Sequence, residues 1–484
     1  MKRVFLQSLP ALVIGLLLRL FFVFWLPSTA GDTGLYEKLA TNWLQHHVYG
    51  LSVNGVLTPL DIRVPGYPAF LAFIQVVTHR SAEAARLWVM LAQACLDLAG
   101  CVVIAALAAR LASRGENNSR VFLAALWLAA LCPFTANYTA VPLTETFAIL
   151  LTAVALTSLV ALVVPQFPAR DFLEWAKLPR RSDFMKNSAF AGFCVGLGTL
   201  FRPEAPLLLI SCLPVVLWFG FRRGQLARAL LGSALAVATL LLVLLPWTVR
   251  NAVTLDEFQP LAPRFATMPG ETVPVGFMAW ERTWLYRLSE VFSVSWKLND
   301  EAIQMDDIPG RAFDSPEERQ HVAAILEQYN TDSNLTPQQD AEFAAIARAR
   351  TARHPLRTWL TVPLQRVVTL WFTPRIEQLP ISGNVFPLAE TWDSDRQDMS
   401  TTLGFFFVNI IYIVLALCGA WRIWRRLPEA RAALLLLASF VLLRTAFLTT
   451  VETPEPRYVL VCFPVIIALA AQIFARRKPS YIER

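Results

Sequence analysis

Of 484 residues, 55% are hydrophobic and only 16% charged, and the mean hydropathy is +0.47. A soluble domain carries about a quarter charged residues, so the composition excludes an ordinary soluble globule and points to a chain lying largely in lipid, where a central charge costs about 2.5–3.5 kcal/mol. The net charge of +7 does not mark a nucleic-acid binder, because the basic residues cluster beside apolar runs and read as orientation signals.

Crossing a bilayer takes about 20 apolar residues. In chain order the runs are roughly Ser8–Leu26, Ala82–Leu111, Val121–Asn137, Leu143–Val164, Ser188–Leu200, Ala205–Gly220, Ala227–Trp247, Thr401–Ile423, Arg431–Leu448 and Tyr458–Phe474. The expected fold class is therefore an all-α polytopic membrane protein with about 10 transmembrane helices, counted from these runs. The first run follows Lys2 and Arg3 as in a signal peptide, but it is long enough to span and has no clean small-x-small site, so it is expected to be retained.

Basic clusters alternate with the spans. Lys2/Arg3, Arg110/Arg114/Arg120, Arg170/Lys177/Arg180/Arg181/Lys186, Arg222/Arg223/Arg228, Arg422/Arg425/Arg426 and Arg476/Arg477/Lys478 fall on one side. The short loops opposite, around Phe134–Pro142 and Val451–Arg457, carry only Arg457. The positive-inside rule then makes this a multi-pass plasma (inner) membrane protein with both termini cytoplasmic and the first loop facing out, to the periplasm in a Gram-negative cell.

Three regions follow: an N-terminal transmembrane part over 1–249 with its first outer loop at 27–80, an outward segment over 250–400, and C-terminal helices with a basic tail over 401–484. In the first loop, Leu35–His46 reads as an amphipathic helix and Tyr67–Val77 as an apolar helix too short to cross, both interfacial. The outward segment is mainly helical, with runs at Pro316–Gln328 and Pro337–Arg353. Arg357–Phe372 is interfacial or re-entrant, since a further span there would break the charge pattern. The segment has few aliphatic strands and no cysteine, so a separate core is not expected. All seven cysteines lie in or beside apolar runs and no CxxC pair occurs, which argues against a disulfide framework or a zinc site.

Candidate chemistry gathers at the outer level. Asp32 either caps the helix beginning near Thr33 or acts as a general base, and burial at the bilayer edge would raise the pKa of such a base. Arg63-Val64-Pro65-Gly66-Tyr67-Pro68 is a rigid turn carrying one cation, either a helix break or the wall of a phosphate site. Phe201-Arg202-Pro203-Glu204 interrupts a long apolar stretch, as a simple turn or as charges facing a cavity. Glu145 opens a span and is either a first-turn acid or a second carboxylate of the site. Glu455-Pro456-Arg457-Tyr458 offers another fixed cation. Arg19, Asp97 and Arg444 lie within apolar runs and read as structural. The His46-His47 pair has no HExxH, DxD or Cys/His company, so no metal site is assigned. There is no P-loop and no GxGxxG, which disfavours an ATP-driven pump or a nucleotide-sugar donor.

Taken together, the outward Asp32 before a Tyr-containing helix, the R-x-P-G-Y-P stretch, Arg86-Leu87, Arg202-Pro203-Glu204, Pro246-Trp247-Thr248-Val249-Arg250-Asn251, His354-Pro355 and Arg457-Tyr458 resemble the GT-C superfamily of membrane glycosyltransferases. The nearest branch is the bacterial protein-mannosyltransferase-like group, glycosyltransferase family 39, which is similar to the lipid A aminoarabinose transferases. The resemblance runs from Arg19 to Phe474 in short motifs. It implies an inverting hexosyl or pentosyl transfer from a polyprenyl-phosphate sugar to an acceptor outside the membrane, either a glycolipid, an envelope glycan or a protein.

Carried over by residue, Asp32 matches the catalytic acid. Arg63 and Tyr67 match the segment flanking the donor, Arg202 and Glu204 the charged hairpin, and Arg457 and Tyr458 the pair before the last span. Thr33 stands where eukaryotic protein mannosyltransferases have Glu, and no DxD is present; both departures disfavour that acceptor type and a required divalent metal. No cofactor is expected. The partners implied are the lipid-linked donor, membrane lipids and an acceptor. The competing reading is a transporter or flippase, which would favour midplane charges and repeated halves.

Overall fold

The computed structural model describes residues 2–112, 116–164, 184–383, 385 and 388–476. The basic positions Arg114, Arg170, Lys177, Arg180, Arg181, Arg477 and Lys478 lie outside the described residues. In lipid every backbone polar group must be bonded internally, which favours helix wherever the chain is continuously apolar. In chain order the helices are α1 (Lys2–Trp25), α2 (Gly31–His46), α3 (Gly66–Thr78), α4 (Ala82–Leu111), α5 (Glu116–Ala130), α6 (Pro133–Asn137), α7 (Glu145–Val163), α8 (Phe184–Thr199), α9 (Leu207–Arg222) and α10 (Leu226–Leu255). They continue as α11 (Val275–Arg282), α12 (Leu288–Ser293), α13 (Pro316–Tyr329), α14 (Pro337–Arg353), α15 (Val362–Phe372), α16 (Leu388–Ser394), α17 (Arg396–Arg426), α18 (Arg431–Thr449) and α19 (Phe463–Ala470).

Seven helical stretches among the described residues are long and apolar enough to cross a membrane, or eight if the bent pair Asn118–Ala130 and Pro133–Ala140 is one span. The chain is an integral membrane protein with a helical fold. The expected count of about ten is approximate: it includes α8 and α9, each with 16 described residues, shorter than the helices counted here. Among the described residues the helical class has one exception. Strands β1 (Gly50–Val53) and β2 (Val56–Pro59) pair antiparallel in the first loop, turned by Asn54 and Gly55 at φ 51° and 81°. Asn-Gly is the preferred dipeptide for such a hairpin.

The described chain forms two compact units. The first comprises 1–262, 374–443 and 460–484 and contains most of the apolar helices. Within it α8 packs on α7 and α10, α4 on α5 and α7, and α17 on α19. The α8–α10 contact depends on small residues: a Cβ on Gly192 would lie 2.0 Å from the Ala236 carbonyl oxygen, and one on Gly196 2.9 Å from Val243 Cβ. Gly192-x-x-x-Gly196 thus lets two helices approach at backbone distance. Two of the intramembrane charges read as structural pair with each other: Arg19 Nε donates to Asp97 Oδ2 at 2.8 Å, and Arg19 Nη1 donates to the Ala130 carbonyl at 2.8 Å, tying α1 to α4 and α5.

The second unit comprises 263–373 and 444–459. The expectation that this segment has no core of its own does not hold. Phe277, Trp280, Trp284, Tyr329 and Phe343 are all at most 1% exposed and pack with Val322, Ile325 and Leu326. Large aromatic side chains bury 150–250 Å² each, so a few of them replace the aliphatic strands whose scarcity suggested otherwise. The two helical runs form close to their expected limits. Ser315 accepts from Glu318 N, and Thr336 and Gln339 form a capping box. Arg357–Phe372 forms a continuous helical stretch, opened by a wide turn over Arg357–Thr361 that is followed by Pro363. It is not long enough to count among the spans.

Candidate functional site

Helix α2 starts at Gly31, with the extended residue Ala30 before it. Asp32 is therefore inside the first turn rather than at the cap. The cap-like bond is made by Thr33, whose Oγ1 accepts from Ala30 N at 3.1 Å. An acid in this turn is favoured by the helix dipole. Arg63 reaches it: Nη2 donates to Asp32 Oδ1 at 2.7 Å, with the two side chains 25% and 28% exposed.

Arg63 is brought there by the β1–β2 hairpin. Tyr49 Oη donates to the Arg63 carbonyl at 2.9 Å. Tyr49 is in turn held by Arg250 on α10, whose Nη2 donates to the Tyr49 carbonyl at 2.7 Å and Nη1 to that of Leu60 at 2.9 Å. The Arg250 guanidinium also lies 5.4 Å from the Tyr49 ring centroid and 5.1 Å from that of Trp247. The Trp247-Thr248-Val249-Arg250 motif thus clamps the loop that presents Arg63.

Arg202 lies in the turn between α8 and α9. Its Nη1 donates to Glu145 Oε1 and its Nε to Glu204 Oε1, each at 3.0 Å. Glu145 is 2% exposed and opens α7, and Glu204 is 20% exposed. Beside this trio Phe201 stacks on Phe147, with centroids 4.4 Å apart and planes 10° apart. The Gly66 N–H donates to the Leu200 carbonyl at 2.6 Å, joining the start of α3 to the same turn.

Both clusters act on Tyr36. Its ring is buried edge-on to Tyr67 at 5.2 Å. Burial is the largest cause pushing the Tyr36 phenol well above its ordinary value, followed by Asp32. Arg63 and Arg202 pull it down, and Glu145 adds to the rise. One hydroxyl thus feels Asp32, Arg63, Arg202 and Glu145 together. Tyr67 is placed differently from a residue lining an open site. It is fully buried, and its Oη donates to Gln93 Oε1 at 2.7 Å while Gln93 Nε2 donates to the Val141 carbonyl at 2.8 Å.

Arg457 and Tyr458 belong to the second unit. Arg457 Nε donates to Glu455 Oε2 at 2.6 Å, and Tyr458 Oη donates to Glu455 Oε1. His46 ends α2, and His47 leaves it with φ at 58°. Among the described residues no three His, Cys, Asp or Glu side chains are grouped as a metal cage requires.

Two participants were not singled out from the sequence. Tyr36 lies one helical turn from Asp32, and that spacing was the available signal. Glu37 receives Arg86 in a two-pronged bond, Nε to Oε1 at 2.7 Å and Nη2 to Oε2 at 2.8 Å, which locks α2 to α4. Arg86 was noted in the sequence, but nothing local named Glu37 as its partner.

No protein-family model matches the chain, and no curated protein does. Among solved structures it is similar to the apo oligosaccharyltransferase of Archaeoglobus fulgidus, at 14% identity and a TM-score of 0.48 over 96% of this chain and 50% of that one. It is also similar to the oligosaccharyltransferase AglB of that organism in complex with an inhibitory peptide and a dolichol-phosphate, at 14% identity and a TM-score of 0.46 over 96% of this chain and 50% of that one. A third likeness is to ArnT of Cupriavidus metallidurans bound to undecaprenyl phosphate, at 14% identity and a TM-score of 0.41 over 98% of this chain and 78% of that one. The chain spans about half the length of the archaeal proteins it matches.

Proposed function

We propose that the chain is an inverting glycosyltransferase that moves a hexose or pentose from a polyprenyl-phosphate donor to an acceptor on the outer face of the membrane. The observation that carries this reading is the Asp32–Arg63 pair on a segment that the Gly66–Leu200 backbone bond joins to the turn carrying Arg202. It sets a carboxylate and two guanidinium groups together in a chain of membrane-crossing helices, where a lipid-borne sugar phosphate would present its head. The distribution of basic residues supports the outer face.

In the transfer, the acceptor hydroxyl or amine forms a bond to the anomeric carbon. The bond from that carbon to the phosphate oxygen breaks, and polyprenyl phosphate leaves with the bonding pair. Asp32 takes the acceptor's proton, the role of a general base. Arg63 and Arg202 are the cations proposed for the donor phosphate, where oriented positive charge stabilises the leaving group. Glu204 and Glu145 hold Arg202 in place, Tyr67 holds α3 against α4, and Tyr458 orients Arg457 through Glu455. The reaction is proposed to need no divalent metal or other cofactor. The acceptor is a glycolipid, an envelope glycan or a protein.

The test is to offer labelled polyprenyl-phosphate sugars to membranes containing the chain. Label appearing on lipid, glycan or protein supports the transferase. Solute or lipid movement across proteoliposomes without any transfer supports the transporter reading instead.

A further inference from the structure

The helical stretch after His354 is built inside out. Thr358, Val362, Arg366 and Leu370 recur every four residues and are buried. Leu356, Leu360, Leu364 and Val368 share that spacing but are displaced by two residues, about 200° round the helix, and are 72%, 52%, 56% and 57% exposed. Trp359 beside them is 66% exposed. The charged residue within 358–373 faces inward: Arg366 Nε donates to the Leu285 carbonyl at 2.9 Å and Nη1 to the Thr449 carbonyl at 3.0 Å. No acidic residue occurs between 355 and 373.

A helix in water would show its arginine and bury its leucines. The reversed arrangement calls for an apolar partner on the outer face. The inner face indicates which one. Leu370 packs with Leu448 and Val459, and Trp371 Nε1 donates to Thr445 Oγ1 at 3.1 Å. Thr445, Leu448 and Thr449 form the last turns of α18, within the candidate span Pro428–Thr449. The stripe therefore lies alongside Thr445–Thr449, the part of that span that belongs to the same compact unit. An aliphatic stripe with a tryptophan at that level fits the boundary between headgroups and acyl chains.

We propose that the Leu356–Val368 stripe is a lipid-docking surface that seats the second unit in the interface of a phospholipid bilayer. The inference is independent of the reaction assigned above. The test uses the full chain in nanodiscs of dioleoylphosphatidylcholine, with and without brominated acyl chains. The exposed Cys95 and Cys418 are changed to Ser, and a bimane is attached at Leu364→Cys. Brominated lipid should quench the label at least twofold, while a label at Gln338→Cys, exposed on the polar helix α14, should keep its intensity. Equal intensity at position 364 in both lipids would overturn the proposal. Photolabelling of the unsubstituted chain with a diazirine-bearing phosphatidylcholine gives a second reading. Label on the peptide spanning 356–368 is expected. An unlabelled peptide, or one crosslinked instead to a second copy of the chain, would overturn it.

Discussion

Gly66 donates its backbone N–H to the carbonyl of Leu200 at 2.6 Å, so two turns far apart in sequence meet backbone to backbone. The contact links the segment carrying Arg63 to the one carrying Arg202. It leaves no room for a side chain: a Cβ on Gly66 would lie 2.4 Å from the Leu200 oxygen and 3.0 Å from the Phe201 ring.

Gly66→Ala should therefore separate the two cationic segments. Overpacking of this kind costs about 1–3 kcal/mol. The expected result is a lower melting midpoint in detergent together with a loss of sugar transfer. The conservative Ala69→Gly change on the following turn of α3, which removes a methyl group and adds none, should lower transfer much less.

Arg202→Ala leaves the nearly buried Glu145 without its guanidinium partner. Removing one member of a buried ion pair costs about 3–5 kcal/mol. The variant should show reduced folded yield, and pairing it with Glu145→Gln should restore yield by removing the stranded charge. Transfer activity should stay low in the double variant if Arg202 also meets the donor phosphate. Yield and activity measured side by side separate the two roles.

Much of the helical scaffold was legible because the signals are local. The limits of α13 and α14 follow from Ser315 and Thr336 with a proline after each. The pairing of Arg19 with an intramembrane partner follows from the cost of a lone charge in lipid. Partner choice was not legible. Asp32 and Arg63 were both singled out, yet their contact depends on a hairpin at 50–59 and on Arg250 nearly two hundred residues later in the chain. The local signal for that hairpin was the Asn54-Gly55 dipeptide. Tyr67 belonged to a charged motif, but its ring is buried between α2 and α7 by Tyr36 and Phe147. The core of the second unit was missed because its aromatic residues are spread thinly through a polar segment.

Glu281 gives the second unit a pH-dependent stability. It is fully buried on α11. Ser295 Oγ donates to its Oε1 at 2.5 Å, and its Oε2 has no hydrogen-bond partner among the described residues. Burial, with Glu452 nearby, pushes its carboxyl up from 4.5 to about 8, against the opposing pull of Ser295 and Arg366. The folded chain thus keeps a proton that the unfolded chain loses above about 4.5. This contribution is complete below that pH, falls as pH rises, and is gone once pH passes about 8. The slope inside the window is about 1.4 kcal/mol per pH unit. Glu281→Gln should flatten the difference in melting midpoint between pH 5 and pH 9. An unchanged difference would place the proton elsewhere.

The measurement that tests the central claim most directly is sugar transfer from labelled polyprenyl-phosphate donors in membranes, comparing wild type with Asp32→Asn at matched expression, each with and without EDTA. A general base contributes about 10²–10⁴-fold. The account predicts a loss of that order in Asp32→Asn and no effect of EDTA on wild type. Full activity in Asp32→Asn would contradict Asp32 as the base, and abolition of wild-type transfer by EDTA would contradict a metal-free reaction.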